Sequence, residues 1–330
     1  MRARSKSQKA DTSIISLVLP ATSANLGPAF DAAALAFGLR LKVSARRANR
    51  FLVTATGRDS SICGKLDDHL ILTTYHEVLA SAGKVAAPFA LTLHNEIPIG
   101  KGCGSSAAAR LAGIALAVHF GNLDWSDARI VGEASVREHH PDNAAACWIG
   151  GVAVARMRTD LEAEVGQIKP RGNWPLLFVV PPDPLSTEEA RRVLPAQYSR
   201  QDAVTNVQNS MMLLAALTQQ RHDLLAIALQ DRIHQPYRAG LCPLLPALQA
   251  LVGSNGVRGV ALSGAGPSVL VFLDPKASLK HSLSAVRTCL HESQLPAELL
   301  LTEIAAKGGR DSYGWKKHRK AGSLESREAG

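Results

Sequence analysis

Pro98-Ile99-Gly100-Lys101-Gly102-Cys103-Gly104-Ser105-Ser106-Ala107-Ala108 is the stretch on which the reading of this chain turns. Three glycines alternate ahead of two serines and an alanine run that opens a helix predicted over Ser105 to Phe120. Glycine lets a backbone approach an anion closely and adopt positive φ. A helix start adds unpaired N–H groups and about half a positive charge, which together favour a phosphate. Ser105 or Ser106 is expected to cap the helix and to offer a hydroxyl to Mg²⁺ carried by a nucleotide. The order GxxxxGK[ST] is absent, and no GxGxxG opens a βαβ unit, so neither the Walker loop nor the dinucleotide fingerprint applies. Taken alone, the loop could equally be a turn before a core helix.

Outward from the loop, Phe89 to Asn95 alternates as a strand, and Ser126 to His139 continues as a second helix. Upstream, Ser13 to Leu19 reads as a strand that stops at Pro20. Leu41 to Arg46 and Phe51 to Thr56 read as a strand pair joined around Asn49. A helix from His69 to about Ser81 is expected to be capped by Asp67 and Asp68. Downstream, Val152 to Ala155 is a strand, and the polar Gly- and Pro-containing stretch from Asp160 to Pro175 marks a domain boundary. Leu176 to Val180, Val257 to Leu262, Val269 to Leu273 and Leu299 to Ile304 follow as strands. Helices are predicted over Gln201 to Thr218, His222 to Ile233, Leu244 to Val252 and Lys276 to Leu290. Strands and helices mix without strict alternation, which indicates an α+β class. The expected division is 11–165 and 166–308, with basic, unpacked tails over 1–10 and 309–330.

The chain has 330 residues, 46% of them hydrophobic and 20% charged, ample for two cores. Its net charge of +9 is concentrated at the ends. Arg2, Arg4, Lys6 and Lys9 lie in one tail. In the other, Lys307, Arg310, Lys316, Lys317, Arg319, Lys320 and Arg327 outnumber Asp311, Glu325 and Glu328. The body between is nearly neutral and aromatics are only 5%, which argues against a nucleic-acid partner. No apolar run reaches the ~18 residues of a membrane span. Cys63, Cys103, Cys147, Cys242 and Cys289 are scattered and odd in number, fitting reduced thiols in the cytoplasm. Oligomeric state is left open, a homodimer among the options.

Three further segments accompany the loop: Pro20-Ala21-Thr22-Ser23-Ala24-Asn25-Leu26-Gly27-Pro28-Ala29-Phe30-Asp31, Glu138-His139-His140-Pro141-Asp142-Asn143 and Ser263-Gly264-Ala265-Gly266-Pro267-Ser268. Together, over roughly residues 15 to 305, they resemble the signature motifs of the GHMP kinase superfamily, and the first and the Asp-Asn segment resemble its homoserine kinases. The resemblance implies two domains with the active site between them. It implies ATP held by residues 98–108, and Gly264 and Gly266 as support for that loop. The reaction implied is transfer of the γ-phosphoryl group to the hydroxyl of L-homoserine, a step toward threonine.

Ser186-Thr187-Glu188-Glu189-Ala190-Arg191-Arg192-Val193-Leu194-Pro195 and Asp231-Arg232-Ile233-His234-Gln235-Pro236-Tyr237-Arg238 resemble two further segments of that family. By that match Arg191 and Arg238 grip the substrate carboxylate, a task suited to the planar guanidinium. Thr187 falls near the reacting hydroxyl. Asn25, Asp31 and Asn143 are assigned to the ammonium and hydroxyl ends, with Asp31 on the ammonium. Glu138 and Ser106 are the implied Mg²⁺ ligands, with Glu133 a rival to Glu138. Asp142 could assist deprotonation, although a loose transition state makes a strong base unnecessary. His139 and His140 are given structural or hydrogen-bonding roles. The chain departs from the family pattern at Ala29, Ala34, His69, Lys101 and Cys103. Two alternatives remain: a GHMP kinase for a mevalonate-like or sugar substrate, and a nucleotide-binding paralogue without catalysis.

Overall fold

The structure, a computed structural model, describes residues 14–313. The tail residues 1–10 and 314–330 lie outside the described residues. Two sheets form the frame. The first contains β1 (Ile15–Ala24), β2 (Ala33–Arg47), β3 (Leu52–Gly57), β4 (Phe89–Asn95), β5 (Val152–Met157) and β6 (Ala163–Ile168). Its order is β3-β4-β2-β5-β6, with β1 paired to β2. The second is antiparallel, ordered β10-β7-β9-β8, from β7 (Pro175–Val180), β8 (Val257–Leu262), β9 (Val269–Leu273) and β10 (Glu298–Glu303).

Several expectations change. β1 does not stop at Pro20; it continues to Ala24, and a register shift between Pro20 and Ala21 absorbs the missing N–H. β2 and β3 do not form a hairpin around Asn49. β4 lies between them and pairs with β3 in parallel, because the helix Leu70–Ser81 makes a crossover. β3 is mostly exposed and so takes the edge, whereas Phe89, Leu91 and Leu93 of β4 are buried. His69, not Asp67 or Asp68, is the N-cap of the crossover helix. The helix predicted over His222 to Ile233 is only two short turns, His222–Leu224 and Leu225–Ala228.

The helix Ser105–Phe120 is buried almost all round, as its Ala and Leu content dictates. At Gly113 a Cβ would meet the Ile71 carbonyl oxygen at 2.5 Å, so the neighbouring helix can pack this close only against glycine. In the second sheet, strand alternation divides the core. Leu177 and Val179 face Leu244, Leu245, Leu248, Val286 and Leu290 in the second domain's own core. Leu176, Phe178 and Val180 belong to the core of the first domain, where Phe178 stacks on Phe37 with centroids 4.5 Å apart. The domains therefore share one apolar seam.

The domain limits also shift. Residues 166–168 complete β6 of the first sheet, and residues 304–308 return to that domain instead of closing the second. Ala305 exchanges backbone hydrogen bonds with Ala36 and Gly151. Residues 309–313 were expected in an unpacked tail, yet Gly309–Ser312 forms a helical turn against β1. Ser312 Oγ accepts the Val18 N–H at 2.8 Å, and Tyr313 is buried near Trp148. The buried Tyr313 and the close fit of Gly308 and Gly309 against Trp148 outweigh the polar composition around them.

Candidate active site

Gly100, Gly102 and Gly104 all have positive φ, near 70°. This left-handed alternation curls the loop, and curled backbone of this kind can gather N–H groups around an anion. Gly102 packs so tightly that a Cβ would lie 2.4 Å from the Ser263 carbonyl oxygen. Its own carbonyl accepts from Ser263 Oγ at 2.6 Å. Asn25 Nδ2 donates to the Gly264 carbonyl at 2.8 Å, and the Gly264 N–H donates to Ala24. The first segment, the loop and the Ser263–Ser268 turn are thus knitted into one floor.

Neither Ser105 nor Ser106 caps the helix that follows. Gly104 holds that position, in the left-handed region, with no side-chain hydrogen bond. Ser106 Oγ instead donates to Glu138 Oε1 at 2.5 Å, and Arg110 Nε donates to the same oxygen at 2.6 Å. Ser106 and Arg110 are four apart on one helix face, a spacing that could have flagged Arg110 from sequence. The rival Glu133 is held between Arg129 and Arg137, both at 2.5 Å, and does not line the cavity.

His139 ends the preceding helix with φ 67°, which redirects the chain and turns His140 and Asp142 into the same cavity. His140 Nδ1 lies 2.6 Å from Asp142 Oδ1, and the Asn143 N–H donates to that oxygen at 2.6 Å. Asp142 Oδ2 is buried without a hydrogen-bond partner. Burial pulls the His140 pKa down, but the hydrogen bond and charge of Asp142, with Asp31 and Glu138, outweigh it and hold the pKa above its ordinary value. His140 therefore belongs to the site rather than to the scaffold. Thr22 Oγ1 donates to Asn143 Oδ1 at 2.7 Å, orienting that amide.

From the second domain, the helix Thr187–Arg192 supplies Arg191, and the turn Gln235–Arg238 supplies Arg238. Both guanidinium groups lie 5.4 Å from the centre of the Phe30 ring. Arg191 Nη2 bonds Asp31 Oδ1 at 2.7 Å, and the Asp31 N–H donates to Asn25 Oδ1. Arg238 is almost wholly buried; burial, then the charge of Arg191, pushes its pKa down to about 10. It remains a cation at neutral pH.

One cavity is lined by Asn25, Asp31, Gly100, Gly102, Cys103, Gly104, Ser105 and Ser106. Glu138, Asp142, Asn143, Thr187, Arg191, Arg238, Gly264 and Gly266 complete that set of sequence candidates. Pro98, Ile99, Lys101, Ala107 and Ala108 do not line it. Lys101 Nζ instead donates to the Pro182 carbonyl, bridging the domains. The Cys103 thiol is buried, which pushes its pKa up to about 12. Phe30, His140 and Leu185 join the lining without having been predicted there. Asp31, His140 and Asp142 also bring donor atoms within 4.8 Å of one another.

The sequence matches GHMP kinases N terminal domain over residues 69–151 and GHMP kinases C terminal over residues 213–292. It is 42% identical to a homoserine kinase of Solibacter usitatus over 80% of this chain and 87% of that protein. A Synechocystis homoserine kinase is 34% identical over 88% of this chain and 95% of its own. The fold superimposes on a crystal structure of homoserine kinase from Cytophaga hutchinsonii with a TM-score of 0.72. That match covers 93% of this chain and 99% of the other at 23% identity.

Proposed function

Because the chain belongs to the GHMP kinase family and, through its full-length relatives, to the homoserine kinases within it, we propose that it phosphorylates L-homoserine with ATP. The γ-phosphoryl group passes from ATP to the side-chain hydroxyl, giving ADP and O-phospho-L-homoserine. The observation that carries this reading is the meeting of two chemistries in one cavity. The first domain brings the glycine loop, Ser106–Glu138 and Asp31, and the second brings Arg191 and Arg238.

In this reading the loop amides and the start of the Ser105–Phe120 helix bind the triphosphate. Arg191 and Arg238 receive the carboxylate, and Asp31 receives the ammonium. Asn143 and Thr187 orient the hydroxyl toward the γ-phosphorus. Asp142 lines the cavity, and its carboxylate can accept the hydroxyl proton as the new P–O bond forms and the bond to ADP breaks. Positioning and charge neutralisation dominate such a transfer, so this acceptor has only a modest task.

Ser106 and Glu138 offer hard oxygen donors 2.5 Å apart, which fits Mg²⁺. When bound there with ATP, the ion supplies neutralisation of phosphate charge. The Asp31, His140 and Asp142 set fits it less well, because it includes an imidazole nitrogen. The cysteines among the described residues are all free, which supports the cytoplasm as the compartment. No described helix is long and apolar enough to cross a membrane. The test is an assay of the purified protein with ATP, Mg²⁺ and a panel of hydroxy amino acids, mevalonate and sugars. Homoserine should be preferred, and equal or better use of a sugar or mevalonate would overturn the assignment.

A further inference from the structure

His234 has 0% exposure and lies just before the turn that carries Arg238. Asp231 fixes its backbone by accepting from the N–H groups of Ile233, His234 and Gln235 at 2.9, 2.8 and 2.6 Å. The imidazole stacks on Phe30, with ring centroids 5.2 Å apart and planes at 28°. Arg238 Nη1 lies 3.1 Å from His234 Nδ1. A guanidinium can only donate, so Nδ1 must accept. The ring hydrogen is then on Nε2, which donates to the Gly27 carbonyl at 2.8 Å. Two neighbours thus dictate one tautomer.

Arg238 Nε donates to the Ala190 carbonyl at 2.9 Å, and Nη1 also reaches Gly264 at 3.3 Å. These contacts fix Nε and Nη1 and leave Nη2 for the cavity. Gly27 belongs to the same segment as Asn25, Phe30 and Asp31. We infer that His234 is a positioning residue for substrate recognition: its neutral ring, accepting from Arg238 and donating to Gly27, aligns the carboxylate ligand of one domain with the ammonium loop of the other. The inference rests on reading Arg238 as a carboxylate ligand. Burial and the charge of Arg238 hold the His234 pKa well below its usual value, against the pull of Asp231 and Asp31. A protonated ring could not accept from Arg238.

Two substitutions separate the two bonds. In His234→Gln the amide N–H₂ can reach toward Gly27, but no acceptor stands where Nδ1 was. In His234→Asn an oxygen occupies the Nδ1 position, and the Gly27 bond is lost. The Gln variant should raise KM for homoserine about tenfold or more, with KM for ATP within about twofold. The Asn variant keeps the Arg238 bond but loses the other half of the bridge, so it should also raise KM for homoserine, by about three- to tenfold, again with KM for ATP within about twofold. Arg238→Leu is measured alongside. If Arg238→Leu leaves the homoserine KM unchanged, the carboxylate reading itself falls. If it raises that KM while His234→Gln does not, or if the Gln variant impairs ATP and homoserine alike, the positioning role is overturned. Should neither His234 variant fold, nitrogen-15 NMR of the wild-type protein decides. An Nε2–H tautomer whose Nδ1 signal moves on adding homoserine is expected, and an Nδ1–H tautomer or an unmoved signal refutes the role.

Discussion

Arg191 and Asp31 approach from different domains and meet in a 2.7 Å ion pair inside the cavity. The cation suited to a carboxylate and the anion suited to an ammonium neutralise each other there. An amino acid is a zwitterion, and can exchange this one pair for two by inserting its own charges between them. Selectivity for a substrate with both charges follows, because an anion alone would take Arg191 and leave Asp31 stranded.

Asp31→Asn should therefore impair homoserine far more than 4-hydroxybutyrate, which lacks the ammonium. The expected loss of kcat/KM for homoserine is about ten- to a hundredfold, the range for a charge-assisted contact. Arg191→Leu should reverse the pattern, narrowing the preference for homoserine over its methyl ester, with Lys restoring only part. Equal losses on all these substrates would remove both residues from substrate recognition.

Ser106→Ala and Glu138→Gln should lower turnover at least about tenfold and weaken the dependence on Mg²⁺. Glu138 also balances Arg110, so the Gln variant leaves that cation less well paired. Titrating Mg²⁺ at fixed ATP checks the assignment. Wild-type rates at limiting metal in both variants would refute it.

His140 gives the protein a pH signature. Its pKa is raised in the folded state above the ordinary 6.5, so its pairing with Asp142 stabilises fully below that value. The contribution is lost as pH rises through the folded pKa. Thermal unfolding of wild type and His140→Gln from pH 5.5 to 8.5 should show the largest gap at the acid end, closing toward the alkaline end. A gap that widened with pH would contradict the pairing.

The fold's punctuation was legible in the sequence where a local rule had no rival. Ser105–Phe120 is the helix that its alanines and leucines demand, and Phe89–Asn95 the strand that its alternation demands. What failed was pairing. Nothing in Leu41 to Thr56 reveals that β4 will come between β2 and β3, because strand order depends on residues far along the chain. The site followed the same division. Gly102, Ser106, Arg191 and Arg238 stood in recognisable segments and meet in the cavity. His140 lines it through side-chain direction, which the sequence does not display, whereas Arg110, bonded to Glu138, is signalled only by its four-residue spacing from Ser106.

Tyr313 carries a further expectation, since composition alone placed it in a solvated tail. Tyr313→Ala should cost about 3–5 kcal/mol, as for other buried aromatics, whereas shortening the chain after residue 313 should leave specific activity within about twofold. Denaturant unfolding of the alanine variant and an activity assay of the shortened chain check the two expectations. An unchanged midpoint for the alanine variant would mean that the 309–313 turn adds nothing to stability.

The return of residues 304–313 to the first domain has a consequence for how the protein is made. Synthesis runs from one end, so residues 15–168 leave the ribosome well before the segment that pairs with Ala36 and covers Trp148. The whole second domain is translated in between. At ordinary elongation rates the wait is on the order of ten seconds. During it the Trp148 surface is uncovered, while the second domain, continuous from residue 175 to 303, can close first. The half of the active site that binds phosphate is begun first and finished last. Pulse proteolysis of stalled nascent chains should find the first domain cleavable until residue 313 has emerged; early protection would show that it closes without its last turn.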